Sequence, residues 1–247
     1  GYGGKAPHYP YRLDAASTTA QAGDEPVLIV RRCGCPLVVA PKRADAVRLL
    51  EQSGEVDIII TDDGLQHYAL ARDIELVVVD GARRFGNGCL LPMGPLREPM
   101  TRLKRVDAII CNGGTPAQGE YPMALVAAAP RRVCDDAPLE APLAGPVDAL
   151  AGIGHPPRFF ATLTGLGYEL VQSVGYADHQ AFDRDELLAR FSERPLLMTE
   201  KDAVKCRAFA PAHWWYLPVS AELPASLLDA LLQRLTPPQA SGPDHAH

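Results

Sequence analysis

"VDALAGIGHPPRFFATLTGLGYELVQSV", residues 147–174, contains a strand, a helix and a strand in succession. Residues 147–154 are apolar nearly throughout and do not alternate. A strand reads this way when both faces of its sheet are covered. A Pro-rich turn holding His155 then leads into a helical pattern over 157–165. Residues 169–174 are strand-like again. Two parallel strands need such a crossover between them, so the stretch is a βαβ unit.

The same rhythm runs outward in both directions. Strand-like runs are "PLVVA" (36–40), "VDIII" (56–60), "IELVVVD" (74–80), "DAIIC" (107–111), "MALVAAA" (123–129), "PLLMT" (195–199) and "WWYLPV" (214–219). Helical patterns fall at 42–53, 99–106, 184–192, 201–209 and 225–235. Strands alternating with helices predict an α/β fold with parallel sheets. Residues 113–122 and 130–146 are rich in Gly, Pro and Ala. They predict a first domain over 1–120, a linker over 121–146 and a smaller α/β domain over 147–247.

The chain has 247 residues, 47% hydrophobic and 22% charged, with a net charge of -6. It is long enough for one large core or two modest ones. The acidic balance argues against a general nucleic-acid binder. Cys33, Cys35, Cys89, Cys111, Cys134 and Cys206 lack zinc-finger spacing, and reduced thiols are expected. No apolar run approaches the roughly 18 residues that a membrane span requires. The opening "GYGGKAPHYPYR" lacks both an initiator methionine and a signal peptide, and reads as the middle of a longer protein.

Chemistry is expected where strands end. In open parallel sheets it gathers beyond the carboxyl ends of the strands. "VDIIITDDGLQH" (56–67) places Asp62 and Asp63 at such an end, where P-loop proteins hold Mg²⁺ near phosphates. Mg²⁺ prefers oxygen ligands and keeps several waters, so one or two carboxylates suffice. The same Asp-Asp-Gly also suits an ordinary turn. "AQAGDEPVLIV" (20–30) places Asp24 at a helix start, where an N-cap is the plainer role. The loop "RRFGNGCLLPMGPLREP" (83–99) is long enough to suggest function. "YADHQAF" (176–182) carries Asp178 and His179, and "MTEKDAVKC" (198–206) sets Thr199, Glu200, Lys201 and Asp202 on a strand-to-helix turn.

Together, "GYGGK", "AGDEP", "TDDGLQH", "RRFGNG", "LPMGPLRE", "GIGHPPRFF", "DHQ" and "MTEKDAVKC", in this order, resemble the tetraacyldisaccharide 4'-kinase family of Gram-negative bacteria. The resemblance covers Gly1 to about Val219. It implies a P-loop-kinase-like parallel-sheet domain and a second, smaller α/β domain. It implies transfer of the ATP γ-phosphate to the 4'-hydroxyl of tetraacyldisaccharide 1-phosphate in lipid A biosynthesis. The expected location is the cytoplasmic face of the inner membrane, reached through an N-terminal segment. No G-x-x-x-x-G-K-[ST] occurs in this sequence. The expectation is therefore a family member without its first strand, P-loop and first helix, inactive as this fragment.

The resemblance also assigns residues. Asp24 matches the catalytic aspartate and His179 its paired histidine, with domain closure expected to bring them together. Asp62, Asp63 and Glu98 match Mg²⁺ and water-organising carboxylates. Gln66 and His67 complete the motif near the phosphates, and Arg43 and Arg97 match basic positions suited to phosphate. Thr199, Lys201 and Asp202 are expected near the nucleotide. Plainer roles stand beside these: Arg43 facing solvent, and Glu98 paired with Arg97 or Arg102. The alternative function is a non-catalytic module that binds an anionic glycolipid or regulates as a P-loop relative.

Overall fold

The computed structural model describes residues 4–235. In chain order these form β1 (Tyr11–Arg12), α1 (Thr19–Ala22), α2 (Asp24–Cys33), β2 (Val38–Val39), α3 (Arg43–Ser53) and β3 (Leu76–Asp80). A 3-10 helix (Met100–Arg105) precedes β4 (Ala108–Asn112), β5 (Tyr121–Ala127), β6 (Arg131–Arg132) and β7 (Val147–Ala151). Then come α4 (Pro156–Gly165), β8 (Leu170–Gly175), α5 (Arg184–Arg190), β9 (Leu196–Thr199), α6 (Glu200–Cys206), β10 (Trp214–Leu217), β11 (Val219–Glu222) and α7 (Ala225–Leu235). The fold is α/β, as the alternation predicts.

These elements group into two compact units, residues 4–70 with 127–219 and residues 71–126 with 220–235. The expected division at 120 and 147 follows the chain, whereas this grouping interleaves. The reason lies in what each segment packs on. β5 pairs with β4, and α7, far along the chain, covers the same sheet with Leu227 against Ala108 and Ile110.

The first unit is built on a five-stranded sheet, order β6-β10-β9-β7-β8. β8, β7, β9 and β10 pair in parallel, and β6 lies antiparallel beside β10. Every residue of β7 is buried. Alternate residues of a strand point to opposite faces, and β7 divides accordingly. Val147, Ala149 and Ala151 join Phe159 and Leu163 of α4 on one face. Leu150 joins Leu187 of α5, Ala203 and Cys206 of α6, and Trp214 on the other. The unbroken apolar run of 147–151 thus reflects helices on both faces. Near the N-terminus, β1 and β2 form a short antiparallel pair, packed with Leu13, Ala22 and Val27.

The second unit carries a four-stranded sheet, order β11-β5-β4-β3, with β3, β4 and β5 parallel. Its turns depend on glycine. A Cβ on Gly81 would lie 1.8 Å from the Gly113 carbonyl oxygen.

One expected strand is absent. Residues 56–60 form no strand, and Ile58 and Ile60 are 56% and 91% exposed. A strand requires a ladder partner, and none of the described strands pairs with this segment. Asp62 and Asp63 consequently lie in a run of turns and not at a strand's carboxyl end. Residues 99–106, expected as helix, tighten into the 3-10 form over Met100–Arg105.

Candidate active site

Asp24 is the first residue of α2, and Gly23 is the N-cap, with φ 92°. The N-cap role expected for Asp24 therefore belongs to a glycine suited to positive φ. Asp24 and Glu25 sit at the positive end of the helix dipole, and Arg31 and Arg32 at the negative end. Asp24 is only 6% exposed. Its two carboxylate oxygens have different surroundings. Oδ1 accepts the Glu25 backbone N–H at 3.0 Å and lies 3.1 Å from His179 Nδ1. Oδ2 is buried and accepts no hydrogen bond among the described residues. Two ammonium groups face it, Lys205 Nζ at 3.5 Å and Lys201 Nζ at 3.9 Å.

His179 lies 155 residues further along the chain, yet in the same compact unit. The pair is therefore assembled within one unit, where the sequence had suggested closure between domains. His179 adopts φ 59°. Positive φ is uncommon for a non-glycine residue and tends to mark functional sites. Its backbone N–H donates to Asp178 Oδ1 at 3.1 Å. Lys201 Nζ ties this loop down, donating to Asp178 Oδ1 at 2.9 Å and to Glu25 Oε1 at 2.8 Å. Burial pulls the Lys201 ammonium down, but the hydrogen bonds to Glu25 and Asp178 hold it above its ordinary range. Burial likewise pushes Asp178 up, and Lys201 outweighs that to hold it below the usual carboxylate range.

The turn into α6 is a closed hydrogen-bond system. The Thr199 hydroxyl accepts the Asp202 backbone N–H at 3.1 Å, capping the helix, and donates to Asp202 Oδ2 at 2.6 Å. The Gly152 N–H, just beyond β7, donates to the same oxygen at 2.8 Å, and Lys205 donates to Oδ1 at 3.2 Å. Asp202 is fully buried. The side chains of Thr199 and Asp202, expected near a nucleotide, are thus committed to holding α6 against the end of β7.

A second group lies around 61–67. Arg43 donates to the Asp62 carbonyl, and to the Asp63 carbonyl at 3.2 Å. The guanidinium therefore braces the turn, and does not simply face solvent. Asp63 adopts φ 47°, and both aspartates are exposed. The His67 N–H closes the next turn on the Gly64 carbonyl at 3.0 Å, and Gln66 is half-buried beside it. In the second unit, Glu98 pairs with Arg102 at 3.3 Å, the plainer of its two readings, and Arg97 is exposed. Among the described residues no three acidic, His or Cys side chains converge as a metal-ligand set.

Sequence reading missed Lys205 and Glu25. The signal for Lys205 was present: Lys201 and Lys205 are four apart on α6 and share a face. Glu25 stands beside Asp24 in the first turn of α2, and only its partner Lys201 reveals its purpose.

A family model for tetraacyldisaccharide-1-P 4'-kinase matches residues 1–236. This chain belongs to that family. The tetraacyldisaccharide 4'-kinase of Aeromonas hydrophila is 86% identical over 235 residues, covering 95% of this chain and 71% of the relative. The Aeromonas salmonicida enzyme of the same name is 85% identical over 95% and 71%. The Tolumonas auensis one is 60% identical over 95% and 72%. A crystal structure of LpxK from Aquifex aeolicus, described as an "apo" form in complex with ATP, aligns with a TM-score of 0.73. It is 21% identical and covers 94% of this chain and 76% of its own, which establishes a shared α/β kinase fold. Members of a 4'-kinase family are phosphotransferases. A hydroxyl that attacks phosphorus must lose its proton, and Asp24 Oδ2 is buried, faced by two ammonium groups and without a hydrogen bond among the described residues.

Proposed function

We propose that this protein transfers the γ-phosphate of ATP to the 4'-hydroxyl of tetraacyldisaccharide 1-phosphate in lipid A biosynthesis. Asp24 accepts the hydroxyl proton on Oδ2, while His179 at 3.1 Å from Oδ1 fixes the carboxylate plane. The observation that carries this reading is the division of labour between the two oxygens of Asp24. One is held by a backbone N–H and an imidazole; the other is buried with no hydrogen-bond partner among the described residues. An unsatisfied buried oxygen is costly unless a function uses it.

Asp62 and Asp63 offer the hard, exposed oxygen donors that Mg²⁺ favours, in a number that suffices when phosphates and water complete its shell. Mg²⁺ bound with ATP would neutralise charge on the transferring phosphoryl group. Arg43 keeps the backbone of that turn in place. Gln66, His67 and Arg97 are assigned to anionic groups of the substrates, Glu98 to orienting Arg102, and Thr199, Lys201 and Asp202 to framing α6 against α2. Among the described residues no helix is long and apolar enough to cross a membrane. The proposed location is peripheral, on the cytoplasmic face of the inner membrane where the lipid substrate lies.

The test is direct. The full-length protein is incubated with ATP and tetraacyldisaccharide 1-phosphate, and products are resolved by mass spectrometry. The expected result is an ATP-dependent bis-phosphorylated product, abolished when the 4'-hydroxyl is replaced by hydrogen. Phosphorylation of the deoxy analogue, or none of either lipid, would overturn the assignment.

A further inference from the structure

The carboxylate assigned to accept the proton is buried, and a buried charge needs an opposite charge close by. Something must keep it ionised without occupying the oxygen that receives the proton. The charged and titratable groups around Asp24 come from three elements. α2 supplies Glu25, the loop after β8 supplies Asp178 and His179, and α6 supplies Lys201, Lys205 and Asp202. Of the cations, Lys201 is spent. Its ammonium makes short hydrogen bonds to two carboxylates, Glu25 at 2.8 Å and Asp178 at 2.9 Å, and stands 3.9 Å from Oδ2.

Lys205 is placed differently. Its side chain is 9% exposed, and a buried ammonium needs partners. It has Asp202 at 3.2 Å, the Gln180 carbonyl at 3.4 Å and the face of Phe182 at 4.6 Å. Asp202 shares its own charge with the Gly152 N–H and the Thr199 hydroxyl. The remaining close charge is Asp24 Oδ2, at 3.5 Å. That is near enough for one charge to act on the other. It is longer than a good N–H···O hydrogen bond, so the lone pairs of Oδ2 stay available.

We propose that Lys205 is a positioning residue that keeps Asp24 ionised while leaving Oδ2 open to the acceptor hydroxyl. The inference rests on Asp24 as the proton acceptor. In the step it serves, the hydroxyl oxygen forms a bond to the γ-phosphorus. The bond from that phosphorus to the bridging oxygen breaks, its electron pair leaves with ADP, and the hydroxyl proton passes to Oδ2. The ammonium then favours release of that proton to solvent, which resets the carboxylate. The Gln180 carbonyl at 3.4 Å and the Phe182 ring at 4.6 Å give the ammonium partners other than Oδ2.

The experiment is the pH dependence of kcat in the full-length enzyme, with ATP and lipid saturating. Lys205→Met is expected to move the acid limb upward by about one pH unit, the usual effect of losing a cation within 4–6 Å of a carboxylate. KM for ATP should change less than about threefold. Lys205→Arg, which keeps the charge, should return the limb to the wild-type position. Lys201→Met should move it less, because that ammonium is farther and already compensated. If Lys205→Met lacks a cooperative melt, Lys205→Met with Asp202→Asn removes both charges of that pair and must show a smaller displacement in the same direction. A limb superimposed on wild type in a folded variant overturns the proposal, as does a defect confined to KM. Asp24→Asn separates the two ideas. If it retains activity, the proton-acceptor reading fails; if it is inactive while Lys205→Met is unshifted, only the role of Lys205 fails.

Discussion

Replacing Asp202 by alanine is expected to damage stability far more than nucleotide affinity. Asp202 is fully buried, and its carboxylate satisfies three donors: the Gly152 N–H at 2.8 Å, the Thr199 hydroxyl at 2.6 Å and the Lys205 ammonium at 3.2 Å. Truncation takes the nearest carboxylate from a nearly closed ammonium, leaving it Asp24 Oδ2 at 3.5 Å, and orphans a backbone N–H. Breaking a buried ion pair from one side costs about 3–5 kcal/mol, and leaving a buried donor unpaired costs about 1–3 kcal/mol. The losses overlap, since both groups shared one carboxylate, so about 4 kcal/mol is expected. At about 2–4 °C per kcal/mol for a chain of this size, Tm falls by roughly 8–16 °C. Differential scanning calorimetry measures this, with KM for ATP determined below the transition as the control. A Tm within about 2 °C of wild type, together with a tenfold or larger rise in KM for ATP, would refute the reasoning. Asp202 would then be a nucleotide ligand and not the frame of α6.

Two other outcomes follow from local geometry. Gly81→Ala would set a Cβ at 1.8 Å from the Gly113 carbonyl oxygen, which is backbone and cannot swing away; a loss of about 1–3 kcal/mol in urea denaturation is expected, and unchanged stability would contradict the close approach. Glu120 accepts two hydrogen bonds from Arg84, at 2.8 and 2.5 Å, and these hold its carboxyl down to about 2 from an ordinary 4.5. Because the folded value is the lower one, this pair stabilises the second unit fully above about pH 4.5 and loses its effect as pH falls toward about 2. Denaturation midpoints measured from pH 5 to 2.5 should fall more steeply in wild type than in Glu120→Gln, and parallel curves would remove Glu120 from the acid response.

The βαβ unit at 147–174 was legible because its cause is local. β7 is apolar on both sides because helices cover both, and the pattern in the sequence records that burial directly. The segment 56–60 carried the same pattern and formed no strand, since pairing depends on a neighbour that composition cannot reveal. The site divides along the same line. That Asp24 opens a helix could be read from "AGDEP", but not that a residue 155 positions away would lie 3.1 Å from it. Only resemblance to a family paired them. The resemblance set Asp202 near the nucleotide, but could not say what its side chain would touch. Its burial and its bond to the Gly152 N–H are tertiary facts with no trace in spacing. Lys205 went unnoticed for the opposite reason: a lysine on a short helix normally faces solvent, and this one is turned inward by Phe182, Asp202 and Asp24.

The central claim is that Asp24 and His179 act as one unit on the acceptor hydroxyl. The most direct measurement is a double-mutant cycle on kcat in the full-length enzyme, using Asp24→Asn, His179→Ala and the pair. Loss of a general base lowers the rate by on the order of 10²–10⁴, and that is expected of Asp24→Asn. His179→Ala should lose less, and the double variant should be no slower than Asp24→Asn alone, because groups acting together are not additive. Nearly full activity in Asp24→Asn, or losses that multiply independently in the double variant, would contradict the account.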